Sequence, residues 1–221
     1  MNLLTTKSNF LRVTFLTLLP LVAGCAYLGK HYGESCNTRA YVASDVDTFL
    51  RSRFLKNSPV RVAVIPFIVP ANLAAYSNEF PGIGNQLAWK VQAEFLRKQA
   101  FPIIEVLNRQ DWPGKKEEFF TGNFGALTYA MDAGYDLALV GLVESGDRLD
   151  TLTVDTKLIE VDSGITLWYG RTSAVTSRKD MEEVAATLGL IERRPDLMYY
   201  DPLIEKASRC IVEEVMAESQ Y

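Results

Sequence analysis

The sequence contains very little histidine. His31 is the single histidine among 221 residues, and it lies in a short polar stretch before the predicted domain. A Ser–His or Cys–His catalytic pair inside the domain is therefore excluded. One histidine and so few cysteines also make a zinc site of the usual kind improbable. The sequence thus predicts a protein that is not an enzyme and that uses no metal and no cofactor.

An excess of positive charge is also missing. The chain has 23 Lys and Arg against 27 Asp and Glu; the first 25 residues hold Lys7 and Arg12 but no acid, so 21 basic and 27 acidic residues follow. Nucleic-acid binding needs clustered positive charge, and so does electrostatic binding to anionic lipid. We therefore expect no nucleic-acid partner and no polybasic membrane-binding segment.

Long hydrophobic runs are absent from the N-terminus too. The apolar stretch from Val13 to Ala23 has about 11 residues, whereas a membrane-spanning helix needs about 20. Basic residues precede the stretch and small residues follow it, which is the pattern of a secretory signal peptide.

This segment ends in Leu21-Val22-Ala23-Gly24-Cys25, which resembles the lipobox of bacterial lipoproteins. The resemblance implies cleavage before Cys25 and lipidation of that cysteine with palmitate-like chains. Two or three acyl chains anchor a protein stably, at about 0.8 kcal/mol per buried methylene. The next residue is Ala26 rather than aspartate, which implies the outer membrane, with the domain facing the periplasm. We expect a signal peptide at 1–24, a lipidated tether at 25–43 and a globular domain at 44–221.

Two cysteines remain if Cys25 carries lipid. Cys36 and Cys210 would share an oxidising compartment, where an even number of cysteines favours a disulfide. The bond would tie the tether to the last helix. The alternative is a buried free thiol at Cys210 and an exposed one at Cys36.

Apolar periodicity predicts an α/β (α+β) fold with a single mixed sheet of about five strands, flanked by helices. Residues 60–69 and 103–107 are predicted strands on either side of a helix at 82–98. A short helix precedes the wholly apolar strand 137–143. An antiparallel hairpin then turns at Asp162-Ser163-Gly164, and a C-terminal helix packs on the sheet.

The order of these motifs resembles a group of envelope proteins that includes CsgG, LpoB and the N-terminal domain of TolB. Three stretches carry the resemblance, over roughly residues 60–215: Val62 to Phe67, Ala133 to Gly141, and Leu158 to Trp168. The likeness implies envelope proteins as partners and allows a homo-oligomer.

Two further patterns were considered as sites. Gly82-Ile83-Gly84 before a helix could bind phosphate, but the third glycine of that motif is missing, so a plain helix start is favoured. Five acids lie along the predicted hairpin and could hold a cation or form a carboxylate pair. A solvated strand edge is the favoured interpretation of these acids, which are Asp147, Asp150, Asp155, Glu160 and Asp162.

Aromatic residues gather in two loop-like segments, at 111–123 and beside Pro202. Because aromatics concentrate binding energy at interfaces, they could form a docking surface. The alternative is a loop that folds its aromatics under itself. The residues of the possible docking surface are Trp112, Phe119, Phe120, Tyr199 and Tyr200.

Together these patterns predict a non-enzymatic outer-membrane lipoprotein. It would act as an accessory or docking component of an envelope assembly, export or cell-wall machine. One alternative is an oligomeric ring or secretion-channel subunit resembling CsgG. A second alternative is a periplasmic hydrolase or ligand carrier.

Overall fold

The computed structural model describes residues 37–54, 58–70, 82–107, 116–121, 125–144, 150–176 and 200–217. The predicted signal peptide, Cys25 and Cys36 lie outside these ranges. The strands are β1 (Asn37–Ala43), β2 (Arg61–Val64), β3 (Ile103–Val106), β4 (Leu137–Glu144), β5 (Thr151–Glu160) and β6 (Thr166–Val175). The helices are α1 (Val46–Arg53), α2 (Ile83–Arg97), α3 (Lys116–Thr121), α4 (Gly125–Asp132) and α5 (Tyr200–Ala217).

The six strands form one mixed sheet in the order β1-β6-β5-β4-β2-β3. Strands β3, β2 and β4 are parallel, while β4, β5, β6 and β1 pair antiparallel. The predicted fold class is therefore confirmed, with helices on the sheet and α5 packed against β5 and β6. Within the described part of the chain, no helix is both long and apolar enough to span a membrane.

Strand β1 corrects the sequence prediction in two ways. It makes six strands where about five were expected, and it places residues 37–43 in the sheet rather than in the tether. The strand pairs with β6, from Asn37 opposite Ser173 to Ala43 opposite Trp168. The domain therefore begins before residue 44.

One face of the sheet carries the larger core. Helices α2 and α5 pack side by side on it; α2 buries its apolar stripe over β2 and β3, and α5 buries its own over β5 and β6. A fully buried Leu, Ile or Phe side chain stabilises the fold by about 1.5–3 kcal/mol, so this core dominates the stability. Its fully buried members include Leu87, Val91 and Phe95 of α2, Leu203, Ala207 and Ile211 of α5, and Leu152, Val154 and Leu158 of β5.

The opposite face carries a smaller core over β2 and β4. It is closed by Phe119 of α3 and by Ala126 and Ala130 of α4. Strand β4 is buried from Leu137 to Val143, as expected for a central strand covered on both faces. Towards β5, β6 and β1, this second face becomes polar.

A close contact fixes the start of α2. Phe67 donates its backbone N–H to the carbonyl of Gly84 at 3.1 Å, and a Cβ on Gly84 would lie 2.2 Å from the Phe67 carbonyl oxygen. Gly84 is therefore needed for backbone packing, which supports the favoured interpretation of the Gly82-Ile83-Gly84 motif as a helix start.

Candidate functional site

The structure describes two of the five aromatic side chains that the sequence grouped as a possible docking surface, Phe119 and Phe120. Trp112 and Tyr199 lie outside the described residues, as does the side chain of Tyr200 at the start of α5. Phe119 is fully buried, whereas Phe120 is 54% exposed. The predicted docking surface is therefore wrong for Phe119. Residues 116–121 of the segment form helix α3 rather than a loop, and the helix turns Phe119 onto the sheet.

A different group of side chains meets on the polar part of the second sheet face. We call it the cation–aromatic face. It consists of Arg39 and Tyr41 of β1, Glu144 of β4, Asp155 and Lys157 of β5, Tyr169 and Arg171 of β6, and Phe119 of α3.

The centre of this face is an ion-pair network. Arg171 donates from Nε to Oδ1 of Asp155 at 2.9 Å and from Nη2 to Oδ2 at 2.7 Å, a bidentate arrangement. The same Nη2 donates to Oε1 of Glu144 at 2.9 Å. The hydrogen bonds to Asp155 raise the pKa of Arg171 above its usual value. Because Asp155 is completely buried and the Arg171 side chain is 38% exposed, the guanidinium links the interior to the surface.

Lys157 lies between two aromatic rings of this face. Its Nζ is 4.5 Å from the ring centre of Phe119 and 5.0 Å from that of Tyr169, and it donates to the Phe119 carbonyl at 2.7 Å. Burial lowers the pKa of Lys157, against the attraction of Asp155. Burial likewise raises the pKa of Tyr169, and Asp155 adds to that rise.

The outer rim of the face comes from β1. A bulge between Ala40 and Val42 leaves Tyr41 as the extra residue, and its ring contacts that of Tyr169 with centres 4.9 Å apart and planes tilted by 38°. The Arg39 guanidinium lies 5.4 Å from the Tyr41 ring centre. Arg39 and Tyr41 are both exposed, so the rim offers a cation and an aromatic ring to solvent.

The hairpin acids are not the solvated strand edge that the sequence favoured. Asp155 and Glu160 are buried, whereas Asp162 is largely exposed; Asp147 lies outside the described residues. That prediction is therefore wrong for Asp155 and Glu160, because cationic side chains from neighbouring elements neutralise both carboxylates.

Glu160 belongs to a second ion pair, away from the cation–aromatic face. Arg53 of α1 donates to Glu160 at 2.8 Å and to Asp162 at 2.9 Å, and Ser163 donates to the other oxygen of Glu160. Burial raises the pKa of Glu160, but the bonds from Ser163 and Arg53 outweigh burial and leave it lowered. A cleft of about 380 Å³ opens beside this pair, and its walls include Tyr135 and Asp136. The ion pair fastens α1 to the hairpin.

In the described ranges, no group of three or more His, Cys, Asp and Glu side chains could hold a metal ion. Cys210 is buried on α5. Its pairing with Cys36 stays a prediction, as does the lipidation of Cys25.

Sequence reasoning placed Asp155 and Lys157 on one strand face but did not bring Arg171 to them. The hairpin was the sequence signal that could have predicted this contact, because residues equally far from its turn lie opposite each other. That signal was disturbed by a register shift between Leu158 and Ile159. The rim residues Arg39 and Tyr41 were missed because their strand was assigned to the tether.

Comparison with known proteins gives similarity of structure rather than of sequence. No protein-family model and no curated protein matches the chain. One similar solved structure is the PelC dodecamer from Paraburkholderia phytofirmans, with 12% identity and a TM-score of 0.42 over 80% of this chain and 97% of that chain. TolB from Acinetobacter baumannii is 12% identical, with a TM-score of 0.40 over 84% of this chain and 31% of that chain. The LpoB C-terminal domain from Salmonella enterica is 13% identical, with a TM-score of 0.31 over 60% of this chain and 93% of that domain. TolB and LpoB are two of the proteins that the sequence motifs resemble; the resemblance to CsgG stays a prediction.

Proposed function

We propose that this chain is a non-enzymatic, lipid-anchored protein of the outer membrane that docks to other envelope proteins through the cation–aromatic face. The observation that carries the proposal is the exposed rim of that face, where Arg39 and Tyr41 lie beside the partly exposed Arg171. Tyrosine and arginine are enriched at protein interfaces and at the residues that dominate binding energy.

The arrangement supports docking because it is held in place before a partner arrives. Two hydrogen bonds that Arg171 donates to Asp155 orient Arg171, and the ring contact with Tyr169 orients Tyr41. Side chains that are already ordered lose less conformational entropy on binding, which favours affinity. The lipobox supplies the membrane anchor in this proposal, and the lack of a catalytic histidine supports a binding role.

Capture of partners from crosslinked cells tests the proposal. Arg39→Glu and Tyr41→Ser change only exposed rim residues, and each is expected to lower recovery of the partner about tenfold, the loss that corresponds to about 1.4 kcal/mol. Met131→Ser is the matched control, because Met131 is also about half exposed but lies on α4. Recovery of no envelope protein by the wild-type chain, or equal recovery by all variants, would contradict docking through this face.

The two alternative functions stay predictions. Sedimentation of the lipidated protein in detergent tests the CsgG-like ring, since a monomer would reject it. A periplasmic hydrolase or ligand carrier that used the hairpin acids would lose its activity on mutation of Asp150 and Asp155.

A further inference from the structure

Helix α2 carries a second apolar stripe, opposite its core-facing side. Its buried side places Leu87, Val91 and Phe95 against the sheet. Trp89, Ala93 and Leu96 follow the spacing i, i+4 and i+7, so they lie in one row on the other side. All three are exposed, with Trp89 at 44% and Leu96 at 49%. We call this row the α2 stripe.

The helix that carries the stripe is held by contacts with β3 and α5. Beside it, Gln92 donates from Nε2 to the carbonyl of Ile104 in β3 at 3.0 Å. On the side towards α5, Lys90 and Lys98 lie 3.9 Å from carboxylates of that helix. The stripe therefore keeps its position without a partner, as a pre-formed binding surface does.

The charges around the stripe indicate what it can bind. Lys90 faces Glu205, Lys98 faces Glu213, and Arg97 is paired with Glu94 at 2.6 Å. These three described cations each have a carboxylate partner, so this part of the surface offers apolar area with little net charge. Such a surface suits an apolar partner rather than a charged one.

The predicted lipid anchor would bring the membrane, which is an apolar surface, within reach of the domain. From the predicted lipid on Cys25 to the start of β1 at Asn37 are 12 residues, which span at most about 40 Å when extended. Tethering over such a distance gives an effective concentration in the millimolar range, at which even a small contact becomes occupied. Tryptophan prefers the interface between lipid and water, where its ring is apolar and its N–H reaches polar groups.

We propose that the α2 stripe rests on the membrane to which Cys25 is anchored, with Trp89 and Leu96 in the lipid interface. The proposal rests on the predicted lipidation and is independent of docking to a protein. It also assigns an orientation to the domain. Helix α2 packs on one face of the sheet and the cation–aromatic face is on the other, so the membrane contact directs the cation–aromatic face away from the bilayer.

Tryptophan quenching in proteoliposomes tests the contact directly. The lipidated chain is placed in vesicles of phosphatidylethanolamine and phosphatidylglycerol, with or without brominated acyl chains. In a chain that carries Trp112→Phe, Trp89 is expected to be quenched by the brominated lipid, and adding Trp89→Phe should remove that quenching. Trp168 is fully buried and provides an unquenched internal reference.

A pair of matched substitutions tests whether the stripe makes the contact. Leu96→Asp is expected to weaken the contact about tenfold, because it replaces a half-buried apolar side chain by a charge. Ile165→Asp is the control, since Ile165 is 53% exposed but lies in the β5–β6 turn. Equal quenching of the Trp112→Phe chain with and without Trp89→Phe would overturn the proposal. So would an Ile165→Asp chain that loses as much quenching as Leu96→Asp. Neither result affects the capture experiment on Arg39 and Tyr41, so the two proposals fail separately.

Discussion

At the scale of single residues, the buried carboxylates of Asp155 and Glu160 each lie beside an arginine side chain. A fully buried carboxylate is costly unless it is paired and hydrogen-bonded. Asp155 meets that condition through both donors of Arg171, and Glu160 meets it through Arg53 and Ser163. The stability of the sheet therefore depends on cations that are themselves partly exposed.

Replacing Arg171 by Met tests that dependence. The change leaves Asp155 buried without its two donors, so the free energy of unfolding should fall by about 3 kcal/mol. Urea unfolding measures the loss. Glu144→Gln is the control, because Glu144 is partly exposed and uses only one bond to Arg171, and it should cost less than about 1 kcal/mol. Similar losses for the two variants would show that Asp155 does not need the bidentate pair.

Glu160 gives the domain a defined response to acid. Its pKa is lowered in the folded protein, so its stabilising effect is complete above the usual glutamate pKa of about 4.3 and is lost as the pH falls through the lowered value. Thermal unfolding from pH 7 to pH 3 measures this effect. Glu160→Gln should be less stable than the wild type at neutral pH, and the difference should shrink in acid. Asp162→Asn, at a largely exposed site, is the control; a constant difference for Glu160→Gln would contradict the assignment.

At the scale of elements, strand β1 is the least expected part of the fold. Its sequence, Asn-Thr-Arg-Ala-Tyr-Val-Ala, has no strict apolar alternation, yet it completes the sheet beside β6 and supplies the rim of the cation–aromatic face. Its hydrogen bonds go to residues far along the chain; Thr38 and Thr172, for example, form a side-chain bond at 3.0 Å.

Truncation tests the contribution of β1. A chain that begins at residue 44 lacks the strand and leaves the outer edge of β6 unpaired, whereas one that begins at residue 37 keeps it. We expect the shorter chain to unfold at a clearly lower temperature and to aggregate, because an exposed edge strand pairs with other chains. Differential scanning calorimetry and light scattering measure both effects. Equal unfolding temperatures for the two chains would show that the domain does not need β1 and can begin at residue 44.

The elements that the sequence predicted well are those whose pattern is local. Helix α2 and the strands of the hairpin follow from apolar spacing within 10–15 residues, and Gly164, with φ 71°, marks the turn. The contact between Asp155 and Arg171 depends on a register shift that no local sequence pattern shows. Continued from Ile159 opposite Thr166, the register would put Asp155 opposite Gly170; the irregularity before Ile159 shifts the pairing by one residue and brings Asp155 to Arg171.

At the scale of the whole molecule, the sheet separates two surfaces with different chemistry. The amphipathic helices α2 and α5 lie on one face, and the cation–aromatic face lies on the other. The N-terminal strand and the C-terminal helix are also neighbours, since β1 contacts α5. The predicted Cys36–Cys210 disulfide would join these same two elements, because Cys36 directly precedes β1.

Thiol titration of the unreduced, lipidated protein checks this disulfide. With Cys25 acylated, we expect no reactive thiol before reduction and two thiols after reduction and unfolding. Cys210→Ser should lower the free energy of unfolding by up to about 4–5 kcal/mol, the upper figure for closing so long a loop. Cys36→Ser is the matched variant and should cost a similar amount. Two reactive thiols in the unreduced protein would contradict the disulfide and support the alternative that both cysteines are free.

The pairing of β1 with β6 also has a consequence for the order of folding. Its partners in β6 are 125 or more residues away along the chain, so the strand cannot pair in the sheet until β6 has been synthesised. Contacts of such long range close slowly, because the loop entropy is lost before the contacts form. If the predicted signal peptide directs secretion, this late pairing would delay completion of the sheet while the chain is threaded through a secretion pore.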